Sequence, residues 1–292
     1  MAGATPTAGA TSLAGEARPP LPTDFTQMNR VVQYELLNYI RGRRFIVLLI
    51  LALIIVTIFS GVTAYYRPAA LLVSGLAFYG TWWAVITPLI ALCAALFGGD
   101  AIAGEFQNKT GYFLFAHPVR RSSVFLGKMI AAFLASAAII TIYAAVTVGN
   151  GWYYTGAPPI QFWESFAFTL VYLIGVLGFT FLFSSLFKSG AMPIIVTLVL
   201  LLFGFTLISD LIVDVAHVEP WFIITYGGGI VADVLTVPYP AHFSSTTVRM
   251  GRFMVTLTSY HASIPEGIVI ILIYAVLGTI GGYLLFRRED FT

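Results

Sequence analysis

The side chains of this chain that could act as nucleophiles, bases or metal ligands are few: His117, His217, His242 and His261, one cysteine, Cys93, and 13 carboxylates. Their spacing excludes most chemistry. Nucleotide hydrolysis needs a phosphate cradle of the form G-x-x-x-x-G-K-[ST], but Gly127-Lys128 is followed by Met129 and position 122 is Ser. A membrane-embedded serine protease needs a histidine within an apolar run, and all four histidines fall in connections between such runs. Gly98-Gly99-Asp100 matches part of an intramembrane aspartyl motif, yet Phe97 stands where that motif has Gly, and no second Asp lies within an apolar run. Asp214 and His217, three residues apart, form with His242 and His261 the one conceivable metal set; without tight spacing they read as solvated loop groups. Cys93, inside an apolar run, reads as a small buried hydrophobe. No catalytic residue, metal ligand or cofactor is therefore assigned to this chain, and it is not read as an enzyme.

The elements that carry these residues follow from composition. At 59% hydrophobic and 10% charged residues, with a mean hydropathy of +0.90, the chain is far from the roughly 25% charge of a soluble domain. It reads as an all-α membrane protein with six spans, each near the ~20 apolar residues a helix needs to cross the hydrocarbon core. The spans are placed at 45–66, 76–97, 124–148, 166–186, 191–209 and 267–286. Pro88 should bend the second, because its ring removes a backbone donor. Of the 15 Lys and Arg, only Arg67, Arg249 and Arg252 fall on one side of this arrangement. That asymmetry places both termini and the 98–128 connection in the cytoplasm of a multi-pass cell-membrane protein. The sequon Asn108-Lys109-Thr110 is then a coincidence on the cytoplasmic side. A formal net charge of +2, scattered over membrane edges, gives no footing to nucleic acid.

Residues 1–23, rich in Ala, Thr, Gly and Pro, read as a disordered cytoplasmic tail without the basic and apolar regions of a signal peptide. From Asp24 onward Phe25, Met28, Val32, Leu36 and Ile40 recur at helical spacing, with Glu35, Arg41, Arg43 and Arg44 among or after them. Segment 24–44 is expected to lie in the membrane interface, apolar face down and arginines on lipid phosphates. A plain topological anchor accounts for it equally well. On the outer side, 149–164 carries Trp152, Tyr153, Tyr154 and Trp163, which suits an aromatic belt. The long stretch 210–266 holds apolar pieces divided by Gly227, Gly228 and Gly229, which predicts short helices capping the outer face.

The most polar interruption is 98–128, where Asp100, Glu105, Lys109, Arg120, Arg121 and Lys128 surround Phe113, Leu114 and Phe115. That mix suits a short amphipathic helix offered to a partner protein. The string of Glu105, Thr110, Gly111, Phe113, Leu114, Pro118, Val119, Arg120, Gly127 and Lys128 resembles the permeases of type 2 ABC transporters. The resemblance runs from Asp24 to Arg287-Arg288-Glu289-Asp290. It implies that 98–123 is a cytoplasmic coupling segment resting on a separate ATPase, with Glu105, Phe106, Thr110, Phe113, Leu114, Pro118, Arg120 and Arg121 in contact. It implies that 24–44 is an elbow helix, with Glu35, Arg41, Arg43 and Arg44 as its site residues, and that 45–292 is one six-span permease domain with an extracellular insertion at 210–266. Two ATPase subunits holding ATP and Mg, and a second permease copy, identical or similar, would complete the transporter in the lipid bilayer. For the pathway the resemblance points to the second and fifth spans, hence Phe78, Trp82, Ile86, Val196, Leu200 and Phe203.

The function expected is ATP-driven export of a hydrophobic or amphipathic substrate such as a lipid, peptide or drug-like molecule. One alternative is a membrane scaffold that binds a soluble partner without transport. A secondary transporter is the less favoured alternative, because the span interiors carry essentially no ionisable residue and Lys128, near an inner end, can snorkel.

Overall fold

The computed structural model describes residues 23–108, 120–250 and 253–288, with the side chains of 246–250 and 253–257 left aside. Within them an amphipathic helix, Asp24–Arg41, called the interfacial helix after its expected position, leads into six apolar helices long enough to cross a membrane. These are Arg43–Tyr66, Gly75–Gln107, Arg121–Thr155, Ile160–Leu186, Ala191–Ala216 and Ile264–Arg288. They overlap the six expected runs and extend each of them at one or both ends. The aromatic residues expected in an outer loop are one consequence. Trp152, Tyr153 and Tyr154 end the third span and Trp163 begins the fourth, leaving a connection of only 156–159.

The second span is the hub: 67% of its apolar stretch is buried, against 17% for the first and fifth spans. Phe78, Tyr79, Trp82 and Trp83 are fully buried there, with Phe78 stacked on Trp82 at 4.9 Å between ring centroids. This span breaks twice. One helix ends at Trp83 and the next starts at Ile86, which places the gap around Ala84, the residue whose carbonyl would have bonded the missing N–H of Pro88. The second break, after Gly98, leads into a short helix, Ala103–Gln107. Its leading amides are capped from the fourth span, since Ser184 Oγ accepts from the N–H of Ile102 and Ala103 at 2.9 and 3.2 Å.

Lipid tails are as apolar as leucine, so span-to-span association rests on close packing and hydrogen bonds rather than on exclusion of water. The fourth and sixth spans meet through small residues: a side chain at Gly278 would strike the backbone of Gly178, and one at Gly178 would lie 2.9 Å from the Ala275 carbonyl. The fifth span contains two π-helical stretches, Leu200–Gly204 and Ile212–Ala216, and runs on to Ala216, where His217 ends it with a left-handed backbone. The stretch after it holds the expected short helices, Ile224–Gly228 and Ile230–Asp233. It also holds an element the apolar pattern did not suggest, an antiparallel hairpin of β1 (Phe243–Met250) and β2 (Phe253–Tyr260).

Candidate functional site at the membrane-interface junction

The face of the bundle that carries the interfacial helix also carries the end of the second span, the start of the third and the end of the sixth. Arg120 pairs with Asp24, its N–H donates to Gln27 Oε1 at 3.2 Å, and Arg121 donates to the Arg287 carbonyl at 2.7 Å. Both ends of the described chain therefore lie on one face.

The interfacial helix starts at Thr23, whose hydroxyl accepts from the Thr26 N–H, with Asp24 in the first turn and Arg41 in the last, as the helix dipole favours. Gly42 is extended and redirects the chain into the first span. The side of this helix turned to the protein is the stripe Gln27, Val31, Glu35 and Tyr39 at four-residue spacing, with Gln27, Glu35 and Tyr39 buried. The apolar residues expected to face the bilayer are only in part turned outward: Phe25 is 71% and Ile40 44% exposed, while Met28, Val32 and Leu36 are half-buried. Contact with the third span is close at Gly127, where a Cβ would lie 2.8 Å from a Val31 methyl.

Next to that glycine, Lys128 is buried between two carboxylates: its Nζ lies 2.5 Å from Glu35 and 2.8 Å from Glu105. This corrects the expectation that Lys128 snorkels to the interface. The ammonium has two carboxylates in reach on neighbouring elements, and they satisfy it inside the protein. Glu35, expected on the polar side of the interfacial helix, is buried against the protein instead. The ion triad joins three elements, the interfacial helix, the tail of the second span and the head of the third.

A second set of contacts closes the exit of the second span. The Tyr39 hydroxyl donates to the Phe97 carbonyl at 2.9 Å, and Arg44 pairs with Asp100 and donates to the Leu96 carbonyl at 3.3 Å. These donors take up carbonyls that the helix break at Gly98 leaves free. Burial above all, with Glu35 and Asp100 nearby, pushes the Tyr39 phenol well above its ordinary range, so it remains a donor. Beyond the break, Gln107 Oε1 accepts from the Gly190 N–H at 2.6 Å. A cavity of about 960 Å³ opens between the interfacial helix and this tail, lined among others by Arg30, Arg43, Arg44, Asp100, Glu105 and Lys128.

Of the residues expected at a partner contact, Glu105 and Phe106 stand at the end of the second span and Arg120 and Arg121 at the head of the third. Thr110, Phe113, Leu114 and Pro118 lie outside the described residues. Phe106 packs toward Phe286 of the last span at 6.5 Å between ring centroids. Arg41 and Arg43 are exposed, and Arg43 borders the cavity. Of the expected pathway residues, Phe78, Trp82 and Ile86 are buried in the core, Val196 and Leu200 are half-buried, and Phe203 is 62% exposed on the fifth span. Elsewhere, a second, apolar cavity of about 400 Å³ lies between the fourth and sixth spans, bounded by Phe179, Leu182, Trp221, Phe222, Ile270 and Leu277. Asp214, His217, His242 and His261 do not form one cluster: His242 meets Glu219 and Glu266, and His261 meets Asp233.

A comparison with individual curated proteins gave no match. A family model described as ABC-2 family transporter protein matches residues 30–291. With six apolar helices and that match over most of its length, the chain belongs to the ABC-2 family of transporter proteins and is a multi-pass permease of the ABC type.

Proposed function

We propose that this permease is the membrane half of an ATP-driven exporter of hydrophobic or amphipathic molecules, worked by two separate ATPase subunits that bind ATP and Mg. The observation that carries this reading is the buried triad of Lys128, Glu35 and Glu105. Glu105 precedes segment 109–119 by a few residues and Lys128 follows it, so the two arms of that segment are fastened to each other and to the interfacial helix. A push on the segment is then delivered to the second span, the third span and the interfacial helix together. This is a two-state element that ATP binding in a partner can bias. In this reading 98–123 is the coupling segment, with 109–119 at its middle, 24–44 is the elbow, and both chain ends are cytoplasmic, as the distribution of Lys and Arg favours.

The exposed first and fifth spans suit contact with a second permease copy, identical or similar. A pathway along the second span would require the rings of Phe78 and Trp82 to part. Among the described residues the Nε1–H of Trp82 and of Trp83 and the Tyr79 hydroxyl are buried without a partner, an arrangement that costs free energy and favours opening. The apolar cavity between the fourth and sixth spans supports an apolar or amphipathic cargo.

The test is purification of the tagged chain from native membranes in mild detergent, with identification of co-purifying chains and an ATP hydrolysis assay. A P-loop ATPase is expected in the eluate. Phe113→Ala with Leu114→Ala, removing two apolar anchors of ~2 kcal/mol each, is expected to weaken its binding on the order of a hundredfold or more and to abolish stimulated hydrolysis, with membrane insertion unchanged. Normal stimulation in that variant would overturn the coupling assignment. A chain that elutes without any ATPase would favour the scaffold.

A further inference from the structure

On the face opposite the chain ends, the fold gathers Glu219 from the stretch after the fifth span, His242 from the root of the hairpin, and Glu266 from the first turn of the last span. Their ligating atoms all lie within 4.8 Å of one another. We propose that these three residues bind one divalent transition-metal ion, with zinc as the best match. Nothing in this rests on the coupling junction at the other face.

The imidazole fixes the chemistry of the cluster. His242 Nδ1 lies 3.0 Å from the carbonyl oxygen of His261, and a carbonyl can only accept, so Nδ1 carries the proton. In the neutral ring Nε2 then presents its lone pair, and it does so toward Glu219 Oε2 at 3.1 Å. Two acceptors facing each other at that distance repel unless a positive centre joins them. Glu266 brings a second carboxylate to the group: a ligand atom of each of the three residues lies within 4.8 Å of the others, and Glu266 Oε2 is also 4.0 Å from the Nδ1 side of the ring. Without a metal, an imidazolium with these two groups is neutral only if Glu219 and Glu266, which lie close enough to hydrogen bond to each other, share a proton. A divalent ion with a neutral imidazole and two carboxylates brings the group to zero net charge.

Geometry and support agree with a metal. Adjacent ligands around a tetrahedral zinc with bonds of about 2.0–2.1 Å stand roughly 3.3 Å apart, close to the Nε2–Oε2 separation found here. The surrounding hydrogen bonds are those that orient metal ligands: a backbone carbonyl on the far nitrogen of the histidine, and donors on the carboxylates. The Tyr226 hydroxyl donates to Glu219 Oε1 at 2.6 Å, so that Oε2 is the oxygen turned to His242, and the Ser263 N–H donates to Glu266 Oε2 at 3.1 Å. One imidazole with two carboxylates suits zinc or its neighbours better than magnesium or calcium, which take oxygen ligands. Three protein ligands leave a fourth position to water. The ion would staple the hairpin root to the start of the last span.

The test is titration of Zn²⁺ into the purified full-length chain, freed of its affinity tag, in detergent or a lipid nanodisc. One ion per chain is expected, not displaced by millimolar Mg²⁺, together with a rise in thermal stability. His242→Ala is expected to weaken binding at least a hundredfold, and Tyr226→Phe about tenfold through the loss of ligand orientation. His261→Ala is the control: its ring is 3.1 Å from both oxygens of Asp233 and reaches His242 only by its backbone, so binding should change less than threefold. If His242→Ala fails to fold, Tyr226→Phe and Glu219→Gln probe the same ligand set, and unchanged binding in both would overturn it. Absence of binding to the wild-type chain, unchanged binding in His242→Ala, or displacement by Mg²⁺ would each overturn the site.

Discussion

Replacing Lys128 by Met is expected to lower the stability of the chain by about 3–5 kcal/mol and to uncouple it from its ATPase. The side chain is 5% exposed, and Glu35 and Glu105 converge on it. Removing the ammonium leaves two carboxylates partly buried, close together and without their counter-charge, and breaking a buried pair on one side costs far more than the pair contributes as a whole. The expected reading is a fall of about 10 °C in the thermal transition in detergent. Trypsin should also cut faster at Arg41 and Arg43, because the interfacial helix loses its hold on the third span. Exchanging all three residues together, Lys128→Met with Glu35→Gln and Glu105→Gln, should recover most of the stability, since neutral groups of similar volume replace the ions. Stimulated ATP hydrolysis should not return with it if the charges orient the junction. A Lys128→Met chain as stable as the wild type would show that the triad does not fasten the interfacial helix.

The six spans were legible because the bilayer allows little else: backbone groups in hydrocarbon must be bonded within a helix, so apolar runs of the right length become helices. Pro88 likewise announced a break, since the missing N–H acts four residues back. The triad was not legible as a contact, because Glu35 and Lys128 are 93 positions apart and only packing brings them together. Two signals pointed toward it. Lys128 is the cation that enters an apolar run, and Gln27, Val31, Glu35 and Tyr39 recur every four residues, a polar stripe beside the apolar one. The apolar stripe taken alone assigns Glu35 to the wrong surface. The hairpin has its own signature, β-branched residues on both sides of Gly251-Arg252, but the glycine-divided apolar pieces of 210–266 point to short helices and mask it. The cluster of Glu219, His242 and Glu266 has no local spacing at all, and the hairpin that delivers His242 is what assembles it.

The same dependence on backbone approach sets the second large effect, which is expected at Gly278. There the fourth and sixth spans touch main chain to main chain, and a side chain would run into the carbonyl of Gly178 and the nitrogen of Phe179. A flexible neighbour could yield, but these atoms belong to a helix backbone whose hydrogen bonds hold it in place. Gly278→Leu should therefore separate the two spans and cost about 3 kcal/mol, at the upper end of overpacking penalties. Ala275, Gly178 and Gly282 line the same contact, so the loss should spread along it rather than stay at one turn. The measurement is the thermal transition and the monodispersity of the purified variant, compared with Gly61→Leu and Gly149→Leu. Beyond the adjoining residues and backbone of its own helix, nothing lies within 4 Å of a Cβ built at either of those positions. Both control variants should match the wild type or exceed it slightly, because leucine is the better helix former. A Gly278→Leu chain as stable as the controls would mean that the fourth and sixth spans are held by other contacts. A loss at Gly61 alone would instead place the surface of the first span against a second chain.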